Sequence, residues 1–421
     1  MDKRTFIKSL TSLGFFSTSP GKALDQLLLG AEQFSAEVMA RDEDFWSGIR
    51  KGYKLKPDYI NLENGYYCLL PQETLENFIQ QVRHVNYEAS YYMRTEQFDN
   101  KKIMAAKLAK LAGCNPDELI ITRNTTESLD MVIGGFHWKE GDEAVMAKQD
   151  YGAMLNMFKL QEKRYGIVNK IISIPNHPAS DEEIIDHYAQ VITSKTRLLM
   201  VCHMINITGQ ILPIRKIVDM AHQKGVEVLV DGAHAFGHFD FSLSELNCDY
   251  YGSSLHKWLS VPLGAGILFI KKGKAGQIWP LLAEGETQPD DISQLNHTGT
   301  HPVHTDLAIA QAVDYHLRIG VKRKEERLRY LQQYWTGRVR SLPNVLVNTP
   351  EDPSRHCGIG NVGIKGMKPS ELAEILFKKY GIYTVAIDVA NVQGCRISPN
   401  LFTTLKELDV LVGALKDLNK E

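Results

Sequence analysis

The sequence predicts an α/β protein: a large domain with a mostly parallel sheet flanked by helices, followed by a smaller α+β domain. From about residue 100 onward, short β-rich runs alternate with helical patterns, and this alternation is typical of parallel strands joined by crossover helices. The chain has 421 residues, of which 43% are hydrophobic, so it is long and apolar enough to bury a core in each domain.

Each element of the large domain follows from a short local pattern. Strand-like runs are predicted at residues 119–122, 143–147, 168–174, 197–203 and 226–231. Helical patterns are predicted at residues 103–112, 127–136, 153–165, 181–192 and 214–224. Ligands of such sheets bind at the carboxyl ends of the strands, so the polar residues directly after these runs are the candidates for a functional site.

The last part of the chain has a different order of elements. Residues 305–341 have a long charged helical pattern, which predicts one connecting helix. Beyond it we expect a strand at 359–364, a helix at 369–380, a strand at 382–387 and a final helix at 404–418. A helix at 31–49 is predicted to join this part. The predicted division is therefore a leader (1–30), a large domain (60–300) and a smaller domain (31–59 with 305–421).

The charge balance argues against two classes of partner. Lysine and arginine number 48 against 50 acidic residues, which gives a net charge of −2. A protein that binds nucleic acid or an anionic membrane surface needs a basic surplus, so we expect neither partner. No apolar stretch reaches the roughly 18 residues of a spanning helix.

The cysteines and the N-terminus bear on the compartment. The six cysteines are scattered without a C-x-x-C pair, which favours a reducing, cytoplasmic environment. Lys3 and Arg4 stand in a segment that resembles a twin-arginine export motif with its first arginine replaced, and no small-residue cleavage site follows. Periplasmic location is the alternative if this leader works as a signal.

Asp231 and Lys257 are the most informative pair of residues. Asp231 ends an apolar run, and Lys257 follows another run after small and polar residues. Such a lysine can form a Schiff base with an aldehyde cofactor, and a nearby aspartate can hold a pyridine nitrogen protonated. That chemistry is the chemistry of pyridoxal 5′-phosphate (PLP). A plain ion pair at the strand ends is the alternative for this pair alone.

Other polar residues favour the cofactor interpretation. Thr125 and Thr126 follow a predicted strand and open a predicted helix, where free N–H groups and hydroxyls make an anion site. Ser254 and His256 stand beside Lys257 and offer further phosphate donors. Tyr151 follows another strand, in a place where its ring can stack on a flat cofactor, although an aromatic residue there is more often part of a core.

In these motifs and their order, the chain from about residue 60 to 418 resembles the class V aminotransferase family of fold-type I PLP enzymes, most of all its isopenicillin-N-epimerase-like branch. The resemblance implies the fold-type I architecture and PLP as the cofactor. It implies that Lys257 is the Schiff-base lysine and that Asp231 pairs with the pyridine nitrogen. The other cofactor contacts implied by the resemblance are Thr125, Thr126, Ser254 and His256 at the phosphate, Tyr151 on the ring, and Asn206 and His234 near the ring hydroxyl.

The resemblance also implies a substrate site and a partner subunit. Arg396 matches the arginine that clamps a substrate α-carboxylate, a task suited to its planar fork. Asn64 and Tyr66 match the loop that approaches the substrate. Thr300 matches a segment that reaches the partner's phosphate, which implies a homodimer with shared active sites.

Three further motifs do not point to other functions. Gly358, Gly360 and Gly363 satisfy a dinucleotide-binding pattern, but a strand overlaps it where a strand-to-helix turn is needed. His297, His301 and His304 have metal-like spacing without a supporting context, so we expect no metal site. The role of Tyr91, Tyr92 and Arg94, core or substrate lining, stays open.

The expected reaction takes place at the α-carbon of an amino acid. Cysteine desulfurases of the family carry a nucleophilic cysteine before the carboxylate arginine; here residues 388–394 contain none, and Cys395 is expected to face away from the site. We expect a transaminase-type reaction through the Lys257 Schiff base. The alternatives are an epimerase, a C–S or β-elimination lyase, and a non-catalytic PLP-fold binding protein.

Overall fold

A computed structural model describes residues 20–282, 288 and 290–420; Lys3 and Arg4 lie outside this range. The strands are β1 Ile60–Asn61, β2 Leu119–Thr122, β3 Glu143–Ala147, β4 Val168–Ile172, β5 Thr196–Cys202, β6 Glu227–Asp231, β7 Tyr250–Ser254, β8 Gly266–Ile270, β9 Val345–Val347, β10 Gly360–Ile364, β11 Ile382–Tyr383, β12 Val385–Val389 and β13 Val392–Ile397. The α-helices are α1 Pro20–Ala31, α2 Ala36–Met39, α3 Glu43–Arg50, α4 Gln72–Glu88, α5 Ser90–Thr95, α6 Gln97–Ala112, α7 Thr125–Gly135, α8 Gly152–Tyr165, α9 Asp181–Ala189, α10 Ile214–Gln223, α11 Leu243–Leu246, α12 Val303–Ile319, α13 Val321–Val339, α14 Pro369–Tyr380 and α15 Leu405–Leu418.

The largest sheet has seven strands in the order β2-β8-β7-β6-β5-β3-β4. Neighbours from β7 to β4 pair in parallel, and β8 pairs antiparallel with both β2 and β7. The predicted α/β class with a mostly parallel sheet is therefore confirmed. Because β5, β6 and β7 are parallel neighbours, their carboxyl ends meet at one edge, which we call the carboxyl edge.

The central strands of the sheet are buried on both faces, whereas the edge strand β4 is largely exposed. Successive residues of a strand point to opposite faces, and in β5 Leu199 and Val201 enter one hydrophobic cluster while Leu198 and Met200 enter another. Helix α12 packs in the first cluster through Ile309. This burial explains why the strand sequences are continuously apolar and could be located from the sequence.

A second sheet of four antiparallel strands, β12-β13-β10-β9, lies in the C-terminal part with α14 and α15 in its core. A short parallel pair joins β1 to β11, so residues 60–61 bond to the C-terminal part of the chain. The proposed domain boundaries stay a prediction. No helix among the described residues is both long and apolar enough to cross a membrane.

Two helix predictions were wrong in the same way, because each ran through a break. The predicted helix at 305–341 ends at Ile319 and restarts at Val321, since Gly320 has a φ of 92° that no helix allows. The predicted helix at 31–49 is divided into α2 and α3. Ser35 accepts the N–H of Val38 and Asp42 accepts that of Phe45, so each side chain starts its own short helix.

The break at Gly320 leads to a stability prediction. Replacing Gly320 with alanine forces a side chain into a positive-φ conformation, so we expect the free energy of unfolding to fall by about 1–2 kcal/mol. Gly337 is the matched control, because it lies within α13 with nothing within 4 Å of its Cβ position. Gly337→Ala should raise stability by about 0.5–1 kcal/mol. Urea denaturation measures both changes, and equal effects of the two variants would contradict this account.

Candidate active site

The carboxyl edge gathers the residues singled out in the sequence. Asp231 is the last residue of β6 and pairs in register with Cys202 of β5 and Gly252 of β7. Ser254 ends β7, and Lys257 follows it shortly. Residues that are far apart in the chain therefore meet because adjacent parallel strands end together.

Lys257 is partly buried and lies against a neutral histidine. Its Nζ atom is 3.1 Å from Nε2 of His234. Burial lowers the pKa of Lys257 to about 8; the charge of Asp231 opposes this shift and that of Arg396 adds to it. Burial lowers the pKa of His234 well below its ordinary value, and the positive charge of Lys257 is the second cause of this shift. Near neutral pH a far larger fraction of Lys257 than of an ordinary lysine is therefore an uncharged amine, the form that attacks a carbonyl.

Asp231 is a buried carboxylate held by the backbone. It is 5% exposed and accepts the N–H of Ala233 at 3.0 Å. Burial raises its pKa, while that hydrogen bond and the charge of Lys257 act in the opposite direction. A cationic N–H donor placed against this carboxylate would stabilise its charged form.

A group of donors lies at the start of α7. The N–H of Thr125 donates to Oγ of Ser254 at 2.9 Å, and the two hydroxyl oxygens are 2.7 Å apart. Asn124 caps the helix by accepting the N–H of Glu127 at 2.9 Å. Thr126 lies in the same first turn and is partly buried. A helix N-terminus with two hydroxyls is a site for an anion such as a phosphate.

The remaining predicted cofactor contacts surround these groups. The rings of His256 and Tyr67 are 6.5 Å apart and nearly parallel, and burial lowers the pKa of His256 to about 4. The Nδ1 atoms of both His234 and His256 are buried without a hydrogen-bond partner in the described part of the chain. Tyr151 precedes α8 with 46% of its surface exposed. Because buried polar atoms usually have a partner, the Nδ1 atoms of these two histidines are candidates for contact with a polar ligand.

Arg396 is buried in an ion pair that the sequence did not reveal. Its Nε atom donates to Glu63 at 3.2 Å, its Nη2 atom bonds to the other Glu63 oxygen, and Nη1 donates to the carbonyl of Asn206 at 3.3 Å. The structure thus brings the predicted Arg396 and Asn206 together and adds Glu63. The only sequence signal for Glu63 was its place directly before Asn64.

The other predicted substrate and partner residues lie at different depths. Asn64 is fully buried and donates its side-chain amide to the carbonyl of Ser398 at 2.8 Å. Tyr66 is 76% exposed, and Thr300 is exposed on the loop before α12. In this chain Asn64 therefore holds the loop to the end of β13, while Tyr66 and Thr300 face outward.

The glycine motif does not lie in a strand-to-helix turn, and the histidine motif does not form a metal site among the described residues. Gly360 and Gly363 lie in β10, antiparallel to β13 and β9. His301 pairs with Asp306 at 2.9 Å, and the ring of His304 packs against Phe78. Among the described residues no three His, Cys, Asp or Glu side chains form a group able to hold a metal.

Comparisons with known proteins agree with this arrangement. The sequence model of the family described as aminotransferase class-V matches residues 68–411. Isopenicillin N epimerase of Streptomyces clavuligerus is 25% identical over 393 residues, covering 89% of this chain and 99% of that protein. A probable cysteine desulfurase of Methanothermobacter thermautotrophicus is 26% identical over 358 residues, covering 82% of this chain and 87% of that protein.

A solved structure is similar over nearly the same extent. It is a mutant of the protein C-DES with glycine covalently linked to its PLP cofactor, with a TM-score of 0.77, 21% identity, and coverage of 87% of this chain and 99% of that one. At this identity the likeness shows the shared fold.

The pKa of Lys257 can be measured by competitive labelling. In protein stripped of small molecules, acetylation of Lys257 by acetic anhydride should be half-maximal at about pH 8, because only the uncharged amine reacts. Lys216 is the control, since its hydrogen bond to Asp181 and further acidic contacts raise its pKa. Mass spectrometry of digests across pH reads both residues, and profiles with the same midpoint would contradict the effect of burial.

Proposed function

Since the chain belongs to the class-V aminotransferase family, we propose that it catalyses a transaminase-type reaction at the α-carbon of an amino acid, with Lys257 as the catalytic residue. The observation that carries the proposal is the contact of Lys257 Nζ with Nε2 of His234 at 3.1 Å, at the carboxyl edge where Asp231 ends β6. Burial at this place lowers the pKa of Lys257 to about 8. A partly buried amine with a lowered pKa is typical of a residue that attacks carbonyls and then transfers protons.

PLP is the cofactor of this family, and the residues of the site fit it. Asp231 offers a carboxylate to the pyridine nitrogen, and the first turn of α7 with Ser254 offers N–H and hydroxyl donors to the phosphate. The unpartnered Nδ1 atoms of His234 and His256 are suited to polar atoms of the same ligand. Thr126, Tyr151 and Asn206 stay predicted contacts.

Bound PLP supplies an aldehyde for the substrate amine and a ring that accepts the electron pair of the α-carbon. Lys257 provides the uncharged amine and afterwards removes the α-proton, since its pKa of about 8 makes it an effective base near neutral pH. Asp231 would hold the ring nitrogen in its charged form. Arg396 would bind the substrate carboxylate and so orient the bonds of the α-carbon.

The segment before Arg396, residues 388–394, offers no cysteine nucleophile. β12 and β13 are joined by a tight turn at Ala390 and Asn391, both with positive φ. Cys395 is fully buried in the core under α14, and its thiol donates to the carbonyl of Pro369 at 3.6 Å. Burial raises the pKa of Cys395 to about 11. The burial of Cys395 supports the prediction that it faces away from the substrate, and it argues against a persulfide on this residue.

Epimerisation is the second candidate, because a relative named isopenicillin N epimerase matches over nearly the whole of both chains. An epimerase needs an acid on the face opposite Lys257. Tyr151 and Tyr66 are the residues we consider for that role, and both are substantially exposed. Elimination of a β-substituent is the third outcome, and the same substrate panel separates all three.

The first experiment tests the cofactor and the lysine. The purified protein should show the visible absorbance of bound PLP, and Lys257→Ala should abolish the covalent link and shift that band. Borohydride reduction followed by mass spectrometry should locate the cofactor on Lys257. A colourless protein that does not take up added PLP would refute the proposal and favour the non-catalytic alternative.

The second experiment identifies the reaction. We expect a panel of amino acids in deuterated water to convert the cofactor to its pyridoxamine form with release of a keto acid, the mark of transamination. Deuterium in recovered amino acid without that conversion would indicate epimerisation instead, and a keto acid with free ammonia would indicate elimination. An unchanged spectrum with every amino acid would exclude the proposed substrate class.

We further propose a homodimer with shared active sites, in which Thr300 faces the partner. Four large side chains on the consecutive helices α4, α5, α6 are strongly exposed in the single chain: Tyr87, Tyr91, Phe98 and Ile103. Such exposed apolar surface is typical of a face covered by another protein. Light scattering should give twice the 47.5 kDa chain mass, and Phe98→Glu should shift it toward the monomer. A monomeric wild-type protein would refute the dimer.

The cytoplasmic location of the protein also stays a prediction.

A further inference from the structure

The ion pair between Glu63 and Arg396 divides the guanidinium into an occupied and a free part. A guanidinium has five N–H bonds in one plane. Nε and Nη2 each give one to the two oxygens of Glu63, and Nη1 gives one to the carbonyl of Asn206. Within the described part of the chain, one N–H on each terminal nitrogen is left without a hydrogen-bond partner, so Nη1 and Nη2 can each still donate to a carboxylate.

Glu63 is itself held in place by the backbone. Its Oε1 atom accepts the N–H of Tyr66 at 2.9 Å, and its own N–H donates to Oδ1 of Asn61 at 3.1 Å. The side chain is 6% exposed and that of Arg396 is 7% exposed. A carboxylate fixed by its own loop and almost without solvent holds its partner rigidly, since water cannot replace the lost contacts.

The loop of Glu63 is also bound to the strand of Arg396. The N–H groups of Asn64 and Gly65 both donate to Oγ of Ser398, at 2.9 and 3.1 Å. A Cβ atom at Gly65 would lie 2.9 Å from Cζ of Arg396, so the guanidinium lies against the bare backbone of Gly65. The plane of the guanidinium is therefore set by Gly65 and its rotation in that plane by Glu63.

We propose that Glu63 is a positioning residue: it holds the Nε and Nη2 side of Arg396 so that only the fork between Nη1 and Nη2 is left for a substrate carboxylate. This inference rests on the proposed function, in which Arg396 binds the carboxylate. The pair carries no net charge, so recognition depends on the geometry of the fork and little on a general attraction for anions. An amino acid is thus distinguished from its amide by two aligned N–H donors.

The test compares an acid with its amide in the PLP-loaded protein. L-alanine and L-alaninamide are titrated into wild type and Glu63→Gln, and binding is followed by the cofactor spectrum. Glutamine keeps the size of the side chain, but it replaces one carboxylate oxygen with an NH₂ group, which cannot accept an N–H bond from the guanidinium. We expect alanine to bind about tenfold more weakly in the variant and alaninamide to bind equally well. Glu63→Asp, which keeps the charge, should recover part of the loss.

Glu325→Gln is the matched control, because Glu325 is equally buried and accepts from Nε of Arg329 at 2.8 Å outside the site. It should leave the ratio of the two affinities unchanged. Tighter alanine binding in Glu63→Gln would overturn the proposal, since Glu63 would then be a competitor of the substrate. An equal loss for alanine and alaninamide would also overturn it, since the effect would be general damage.

A crystal structure of Glu63→Gln tests the same point without a substrate. We expect the guanidinium of Arg396 to leave its place against Gly65 or to lose its bond to Asn206. An unmoved guanidinium would refute the positioning role even if no amino acid bound. Failure of the wild-type protein to take up PLP would instead refute the proposed function, and the crystal structure would still decide the role of Glu63.

Discussion

Removal of water from the carboxyl edge governs the chemistry of the ionisable side chains gathered there. Burial disfavours charge, so it lowers the pKa of Lys257 and His234 and raises that of Asp231. The attraction between the charges of Asp231 and Lys257 opposes the shifts of these two residues. An amine that loses its proton easily and a carboxylate with a raised pKa are thus two results of one cause.

Removal of water also governs Arg396, the residue that the second sheet contributes to the candidate site. Arg396 is as poorly exposed as Asp231, and a lone guanidinium there would be costly to bury. Glu63 removes this cost, and the contacts of Asn64 and Gly65 with Ser398 fix the loop that carries it. The pair β1–β11 extends this connection, so residues near 60 and near 396 form one unit although more than 300 positions separate them.

Much of the large sheet could be predicted from the sequence. β2 and β3 have the predicted bounds, and β6 ends at Asp231 as expected, because strands buried on both faces are continuously apolar and end in recognisable polar residues. The helix breaks at Gly320 and between α2 and α3 were missed, since charged helical patterns continue across a single glycine or a capping side chain. The antiparallel strand β8 was not among the predicted strands. The prediction followed the alternation of strands and helices, and no helix lies between β7 and β8.

By itself the sequence determined the class of fold and the family, and it singled out Asp231, Lys257 and Arg396 as candidate site residues, because each of these follows from residue type and order along the chain. The tertiary structure decided what these residues have as neighbours. It placed His234 against Lys257, lowered the pKa of that lysine, turned Cys395 into the core and paired Arg396 with Glu63. Burial and pairing depend on contacts between distant segments, and no local pattern in the chain specifies them.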